Sequence, residues 1–366
     1  MYPLMVGILF FLSFSNSKYV FYAASLIFLS FYTITYGYGY DWVNYYRIFN
    51  NIDYYDVMPF EPGYYYLMRF FHFYGFNFGA LTAAVNCFVG VSVVIYCKKK
   101  ENKTLLLFCL FSFMGFFMFM EQIRQGLAIA VLLYFLDDLK NKNYKKFYIG
   151  VLLAMCFHAS SFTALFFPLL NRKISKAKLI SFFVISLIVV YGAVIMINYP
   201  QYIFIPYLKN KVLSYGGMSG SLDNTLFNKS SLIYLLLLVP ALISRKIEDY
   251  KDEAGKAIIS VFLIFETKLA FFLLRFQYYF FILYVDSIDR FLSTRKKKGW
   301  LRVYLSLIVL IISYMPYRYD IYNDSIDNPV TIFSSRQEIE NKIIKRCSDL
   351  YRHGGDDSSI VTCRYL

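Results

Sequence analysis

Residues 147–170 read FYIGVLLAMCFHASSFTALFFPLL, a stretch of 24 residues without Asp, Glu, Lys or Arg, preceded by Lys145 and Lys146 and followed by Arg172 and Lys173. Its length suits one helix across a bilayer, for which about 20 apolar residues suffice. A single crossing, however, would put the two basic pairs on opposite faces, whereas Lys and Arg in short loops collect on the cytoplasmic face. The conflict disappears if the stretch turns back on itself. Two half-helices of about 11 residues reach roughly 16 Å each, about half of the hydrocarbon core. The turn between them falls on Phe157-His158-Ala159-Ser160-Ser161. Irregular backbone at that depth is tolerated only inside protein or along a wet cavity, so His158 is expected to face a cavity. Two thin full crossings bent through the outer leaflet would also leave His158 facing outward.

The rest of the chain has the same character. Further apolar segments fall at 2–14, 19–36, 77–97, 104–120, 122–137, 179–197, 231–244, 257–274, 276–289 and 300–315. Of the 366 residues 58% are hydrophobic, 21% aromatic and only 17% charged. A soluble protein carries about 25% charged residues, so disorder and an ordinary soluble enzyme are excluded. The 39 Phe and 36 Tyr suit aromatic belts at both membrane faces. The net charge of +14 comes largely from short loops between apolar segments, which argues against nucleic-acid binding: 22 of the 38 Lys and Arg lie around 15–18, 98–103, 140–146, 171–178, 244–256 and 290–298. These loops are expected in the cytoplasm, and segments 37–75, 198–229, 316–366 and the N-terminus outside. The first span lacks a cationic flank and an A-x-A site, so it does not read as a cleaved signal. The expected fold is all-α: a polytopic integral membrane protein of about 10–12 spanning or half-spanning helices. Its transmembrane catalytic domain would cover 1–315, with an outward-facing tail at 316–366. The tail is polar, with eight acids and seven Lys or Arg, and holds Cys347 and Cys363. Outside the membrane this pair fits either a disulfide closing a small loop or two free thiols.

Ionisable side chains within spans are expensive and are functional candidates by default. Here they are Glu121, Arg124, His158, Glu266, Lys268 and Arg275, with Arg69 and His72 at the edge of the first outer loop. Glu121 and Arg124 are three apart, so one reading is a structural ion pair across a helical turn. The other is a cation facing the outer cavity, able to bind an anionic headgroup bidentately. Arg275 sits at the next outer turn, where snorkelling to the interface is the competing reading. Glu266 and Lys268 read as structural.

The first outer loop contains Tyr36-Gly37-Tyr38-Gly39-Tyr40-Asp41-Trp42, Asn44-Tyr45-Tyr46 and Phe60-Glu61-Pro62-Gly63-Tyr64. Clustered Tyr and Trp stack on sugar faces while offering a polar tip, and they also build interface belts. Asp41 and Glu61 on such a wall are candidate general bases for a sugar hydroxyl. Glu61 before Pro62 equally resembles a helix start, where an acid is favoured by the dipole. The sequence holds no P-loop, G-x-G-x-x-G, H-E-x-x-H or C-x-x-C, and three His make a His-rich metal site unexpected. With no nucleotide outside the cell membrane, the energy for any synthesis must arrive in the substrate.

At this point the chain resembles the EpsG-like branch of the Wzy polysaccharide polymerases. The resemblance rests on Gly39-Tyr40-Asp41 with Tyr45, Glu61-Pro62-Gly63-Tyr64, Gln122-Ile123-Arg124-Gln125 with Leu127-Ala128, Phe157-His158-Ala159-Ser160, Arg275 with Tyr279-Phe280, and Pro316-Tyr317. These stand in the family's order and span about 40 to 317. Tyr40 replaces the Thr or similar residue expected before the first acid, Glu121 stands at an often uncharged position, and the tail is longer than the motif requires.

The resemblance implies a GT-C-like helical membrane core that joins lipid-linked oligosaccharide repeats on the periplasmic face of the bacterial inner membrane, making O-antigen, capsule or exopolysaccharide. Donor and acceptor would both be linked to undecaprenyl pyrophosphate, and a chain-length regulator protein would be a partner. On this reading Arg124 and Arg275 bind the pyrophosphate. Glu61, Asp41 and His158 are catalytic candidates, with Glu61 preferred as base, and Tyr45, Gln125, Tyr279 and Tyr317 contact glycan. No metal or other cofactor is expected, because the arginines do the electrostatic work. A flippase or transporter for the lipid-linked sugar, an O-antigen ligase and a glycan acyltransferase are the alternatives.

Overall fold

The computed structural model describes residues 2–55, 58–116, 121–170, 174–203, 209, 229–245, 251–267, 271–293, 299–318, 320–352 and 363. The protein is almost entirely helical. Helices α1 (Tyr2–Leu12), α2 (Lys18–Ile34), α3 (Asp41–Asn50), α4 (Pro62–Phe73), α5 (Phe78–Lys98), α6 (Lys103–Met114), α7 (Ile123–Lys140) and α8 (Tyr144–Met155) come first. Then follow α9 (Phe167–Leu170), α10 (Lys176–Asn198), α11 (Lys229–Leu235), α12 (Leu238–Arg245), α13 (Lys251–Glu266), α14 (Gln277–Ser293), α15 (Gly299–Ser313), α16 (Asp320–Asp327) and α17 (Arg336–Arg352). Among the described residues one helix, α5 with 21 residues, is by itself long and apolar enough to cross a membrane, and several other apolar helices are shorter. Lys268, the basic residues Arg172, Lys173 and Lys296–Lys298, and most of segment 198–229 lie outside the described residues.

The chain forms two compact units, 1–165 with 309–366, and 166–308. In the second unit the apolar segment expected at 231–244 is interrupted at Leu236-Leu237, between α11 and α12. Pro240 is the cause: it has no N–H to give the carbonyl of Leu236, four residues back. The carbonyls released by the break are taken up by tyrosines, Leu236 by the Tyr304 hydroxyl and Leu237 by that of Tyr284, each at 3.0 Å. Glu266 is buried at the end of α13, where the Ser186 hydroxyl donates to its Oε1 at 2.9 Å.

Segment 147–170 leaves α-helical geometry after Met155, passes through Cys156, Phe157 and His158, and resumes as a 3-10 helix at Ala159–Phe166; all but its last residues from Phe166 belong to the first unit. The tail packs on this same unit. Val330–Thr331 (β2) pairs antiparallel with Thr35–Tyr36 (β1), in register Thr35 with Thr331 and Tyr36 with Val330. The end of the 19–36 segment is thus strand rather than helix, because its backbone groups find the tail as partner. Helix α17 turns Ile339, Ile343, Cys347 and Leu350 inward at three- and four-residue spacing. Ser335 and Glu338 cap it reciprocally: the Ser335 N–H donates to Glu338 Oε2 at 2.8 Å and the Glu338 N–H to Ser335 Oγ at 3.3 Å. Cys347 and Cys363 form a disulfide.

Asp324 on α16 holds α17 by accepting from Lys345 at 2.6 Å and from the fully buried Arg346 at 2.8 Å. Burial works against its charge, but hydrogen bonds from Lys345 and Asn328 and the nearby Arg346 guanidinium outweigh this and hold its carboxyl below the usual range. A depressed folded pKa means that the stability it lends is present above the unfolded value, about 3.9, and is lost as pH falls through the folded one. Limited proteolysis should therefore find α17 equally protected at pH 7 and pH 5 and released only below about pH 4. Asp324→Asn should remove part of this protection at pH 7.

Candidate functional site

Four separate segments meet around Arg124 in the first unit. Arg124 stands in the first turn of α7, where the helix dipole disfavours a cation, so its position requires compensation from elsewhere. Its Nη1 pairs with Glu61 Oε2 at 2.5 Å, and its Nε donates to the Tyr45 hydroxyl at 3.2 Å. The guanidinium carbon lies 4.4 Å from the centre of the Phe60 ring and 5.4 Å from that of Tyr45. The Tyr45 ring in turn packs edge-on against Phe60 and Tyr64, at 5.3 and 5.7 Å. An Arg face on aromatic rings, with one edge on a carboxylate, is held in a single orientation.

Glu61 does not cap its own helix through its side chain. Pro62 starts α4, and the Glu61 carboxylate points across to two other segments. Oε2 takes Arg124, and Oε1 accepts the Ala159 N–H at 3.1 Å. The expected turn at 157–161 is thereby tied to the segment that carries Glu61. A second bond runs beside it, from the Gly63 N–H to the Cys156 carbonyl at 2.7 Å. Gly63 is required here, because a Cβ would stand 2.8 Å from that carbonyl oxygen. Gly63→Ala should therefore destabilise the protein by about 1–3 kcal/mol and depress activity with it, as read by thermal melting in lipid beside an activity assay.

His158 is buried. Its Nδ1 accepts the Ser160 N–H at 3.2 Å and lies 2.6 Å from Ser160 Oγ. A ring nitrogen that accepts a backbone N–H carries no proton, so the neutral ring bears its proton on Nε2 and is a donor there. That suits contact with an oxygen anion better than proton abstraction.

Asp41 opens α3, where the dipole favours an acid. It is half-buried, makes no hydrogen bond or ion pair among the described residues, and its charge is felt at Arg124. Asp41 and Tyr45 are four apart on α3 and so share a face, which the Tyr45–Arg124 bond turns toward the cluster.

Glu121 is not the partner of Arg124. Its buried carboxylate accepts the Tyr40 N–H at 3.2 Å and fills the space beside Gly39, where any Cβ would overlap the carboxyl carbon. Glu121 thus anchors the loop that carries Asp41. Among the expected glycan contacts, Gln125 is fully buried next to Arg124. Tyr317 is half-buried and donates to Asp327 at 3.5 Å. Tyr279 is fully buried in the second unit, and Arg275 is half-buried at the end of the 3-10 helix that precedes α14. Near the end of α4 His72 lies 3.2 Å from Asp53.

The sequence reading missed Phe60 as a platform for Arg124 and the role of the Ala159 N–H. The first had a signal, an aromatic residue directly before Glu61. The second is a backbone group and leaves no trace in residue type.

No curated protein and no solved structure matches the chain. The model of the EpsG family matches residues 18–329, a region that holds the Arg124 cluster, Arg275 and Tyr317. The chain therefore belongs to the EpsG family.

Proposed function

We propose that this protein is a polysaccharide polymerase of the bacterial inner membrane, a glycosyltransferase that joins undecaprenyl-pyrophosphate-linked oligosaccharide repeats on the periplasmic face. Family membership supports polymerase chemistry in general, and the Arg124 cluster is the observation that carries the specific reading. The chain would cross the membrane repeatedly. In support, α10 spans 23 residues and exposes Ile180, Val184, Ile185, Ile188, Val189 and Tyr191, an apolar surface that lipid would cover.

The reaction needs an acceptor hydroxyl to form a bond to the anomeric carbon of the donor glycan. The bond from that carbon to the pyrophosphate breaks, its electron pair leaves with the lipid pyrophosphate, and the hydroxyl proton goes to a base. Negative charge grows on the leaving oxygen, and a cation fixed in advance in a water-poor site stabilises it most effectively. Arg124 takes that role, with His158 as a further donor to phosphate. Both oxygens of Glu61 are occupied by Arg124 and the Ala159 N–H. This moves the proton acceptor from Glu61 to Asp41, and Glu61 becomes the residue that positions Arg124. A single displacement of this kind inverts the anomeric centre.

Purified protein in lipid, given a lipid-linked repeat as sole substrate without nucleotide, should yield a ladder of glycan lengths. Movement of the substrate across the bilayer without a ladder would instead establish a transporter.

A further inference from the structure

Apart from the Arg124 cluster, the first unit holds a groove. The tail lies against α3 and the start of α5 and borders a groove of about 660 Å³, lined on one side by Tyr46, Arg47, Asn50, Asn51 and Asn77 and on the other by Arg336 and Glu340. We infer that this groove binds the glycan chain itself, a few sugars away from the reacting end.

Its volume lies within the range of small-molecule sites, and its lining has the chemistry that sugars require. The half-buried Tyr46 ring is held edge-on by Phe78 at 5.6 Å, which fixes one aromatic face for a pyranose to stack on. Around it stand amides with unused capacity. The Asn50 side chain makes no hydrogen bond among the described residues. Asn51 spends its Nδ2 on the Arg47 carbonyl, and Asn77 its Oδ1 on the Ala80 N–H. Each amide has both donors and acceptors, as hydroxyl groups do. Charge in the groove is mixed: Arg336 is engaged by Glu340 at 2.9 Å, and Arg47 also lines it.

Helix α3 connects this groove to the site. Asp41 and Tyr45 occupy one face of the helix and Tyr46 and Asn50, again four apart, the adjacent one. A chain held at the groove would thus pass along α3 to the base. The tail is what closes the groove, which gives 316–366 a function: retention of the glycan between additions. The choice of ligand rests on the polymerase reading.

The test uses full-length protein in nanodiscs, probed with lipid-free oligosaccharides of two to four repeats released by mild acid from the source cells' own lipid-linked glycan. Saturation-transfer NMR and titration should show binding that weakens about tenfold, roughly 1.4 kcal/mol, in Tyr46→Ala and Asn50→Trp and persists in Tyr46→Phe. The product ladder of the first two variants should stop at shorter lengths. Asn50 is exposed, so its replacement blocks the groove without emptying the core. Absence of binding by wild type overturns the inference, as does wild-type binding and ladder length in both blocking variants. Binding through the groove with no ladder from wild type would sink the polymerase reading while the groove stands.

Discussion

Arg124→Ala should lower chain elongation by about 10²–10³-fold, the loss that follows removal of one preorganised donor to a developing anion. Arg124→Lys should recover little, because an ammonium can neither lie flat on Phe60 and Tyr45 nor hold a carboxylate edge while facing a phosphate. Truncation also strands the Glu61 carboxylate, which is only 21% exposed, at a cost of about 2 kcal/mol. Lost activity could then reflect lost structure. The double variant Arg124→Gln with Glu61→Gln separates the two effects, since it neutralises the pair and leaves amides to bond each other and the Ala159 N–H. Melting in lipid should return toward wild type while elongation stays absent. Elongation restored in the double variant would remove Arg124 from the chemistry.

The second large effect concerns the base. Asp41→Asn should cost about 10²–10⁴-fold in kcat/KM, the usual contribution of a positioned base. Glu61→Gln should cost about tenfold, because Arg124 keeps Tyr45 and Phe60 and loses only one of its anchors. If Glu61→Gln shows the larger loss and Asp41→Asn the smaller one, the proton goes to Glu61 and the positions of the two carboxylates in the mechanism are exchanged.

Much of the fold was legible because it is local. Helices α2, α5, α7, α14 and α15 begin and end within a few residues of the apolar segments that announce them. The break at Leu236-Leu237, inside a segment expected as one apolar run, has its cause in Pro240, and the interruption after Met155 lies next to the turn expected at 157–161. Each of these features is decided by neighbours in the chain: side-chain apolarity, a missing N–H, charge at a segment end. The candidate site was legible as a set of residue types, since Asp41, Tyr45, Glu61, Arg124 and His158 were all singled out, but not as a set of bonds.

The pairing of Arg124 shows why. Spacing suggested Glu121, three residues away, but α7 starts only at Ile123. The pair does not span a helical turn, and the rule that neighbours at that spacing meet does not apply. Glu121 is drawn instead to the Tyr40 N–H beside Gly39, 81 positions away in the chain. Arg124 is met by Glu61, 63 positions away. The tail behaves likewise. Its two cysteines and its Ser335–Glu338 capping box are written in the chain, but its docking on Thr35–Tyr36 depends on strand edges that exist only once both segments are placed. By itself the sequence determined where this protein is apolar and which side chains are candidates for chemistry. Tertiary structure alone decided which of those side chains face one another, because the bonds at the site join segments whose proximity no local pattern encodes.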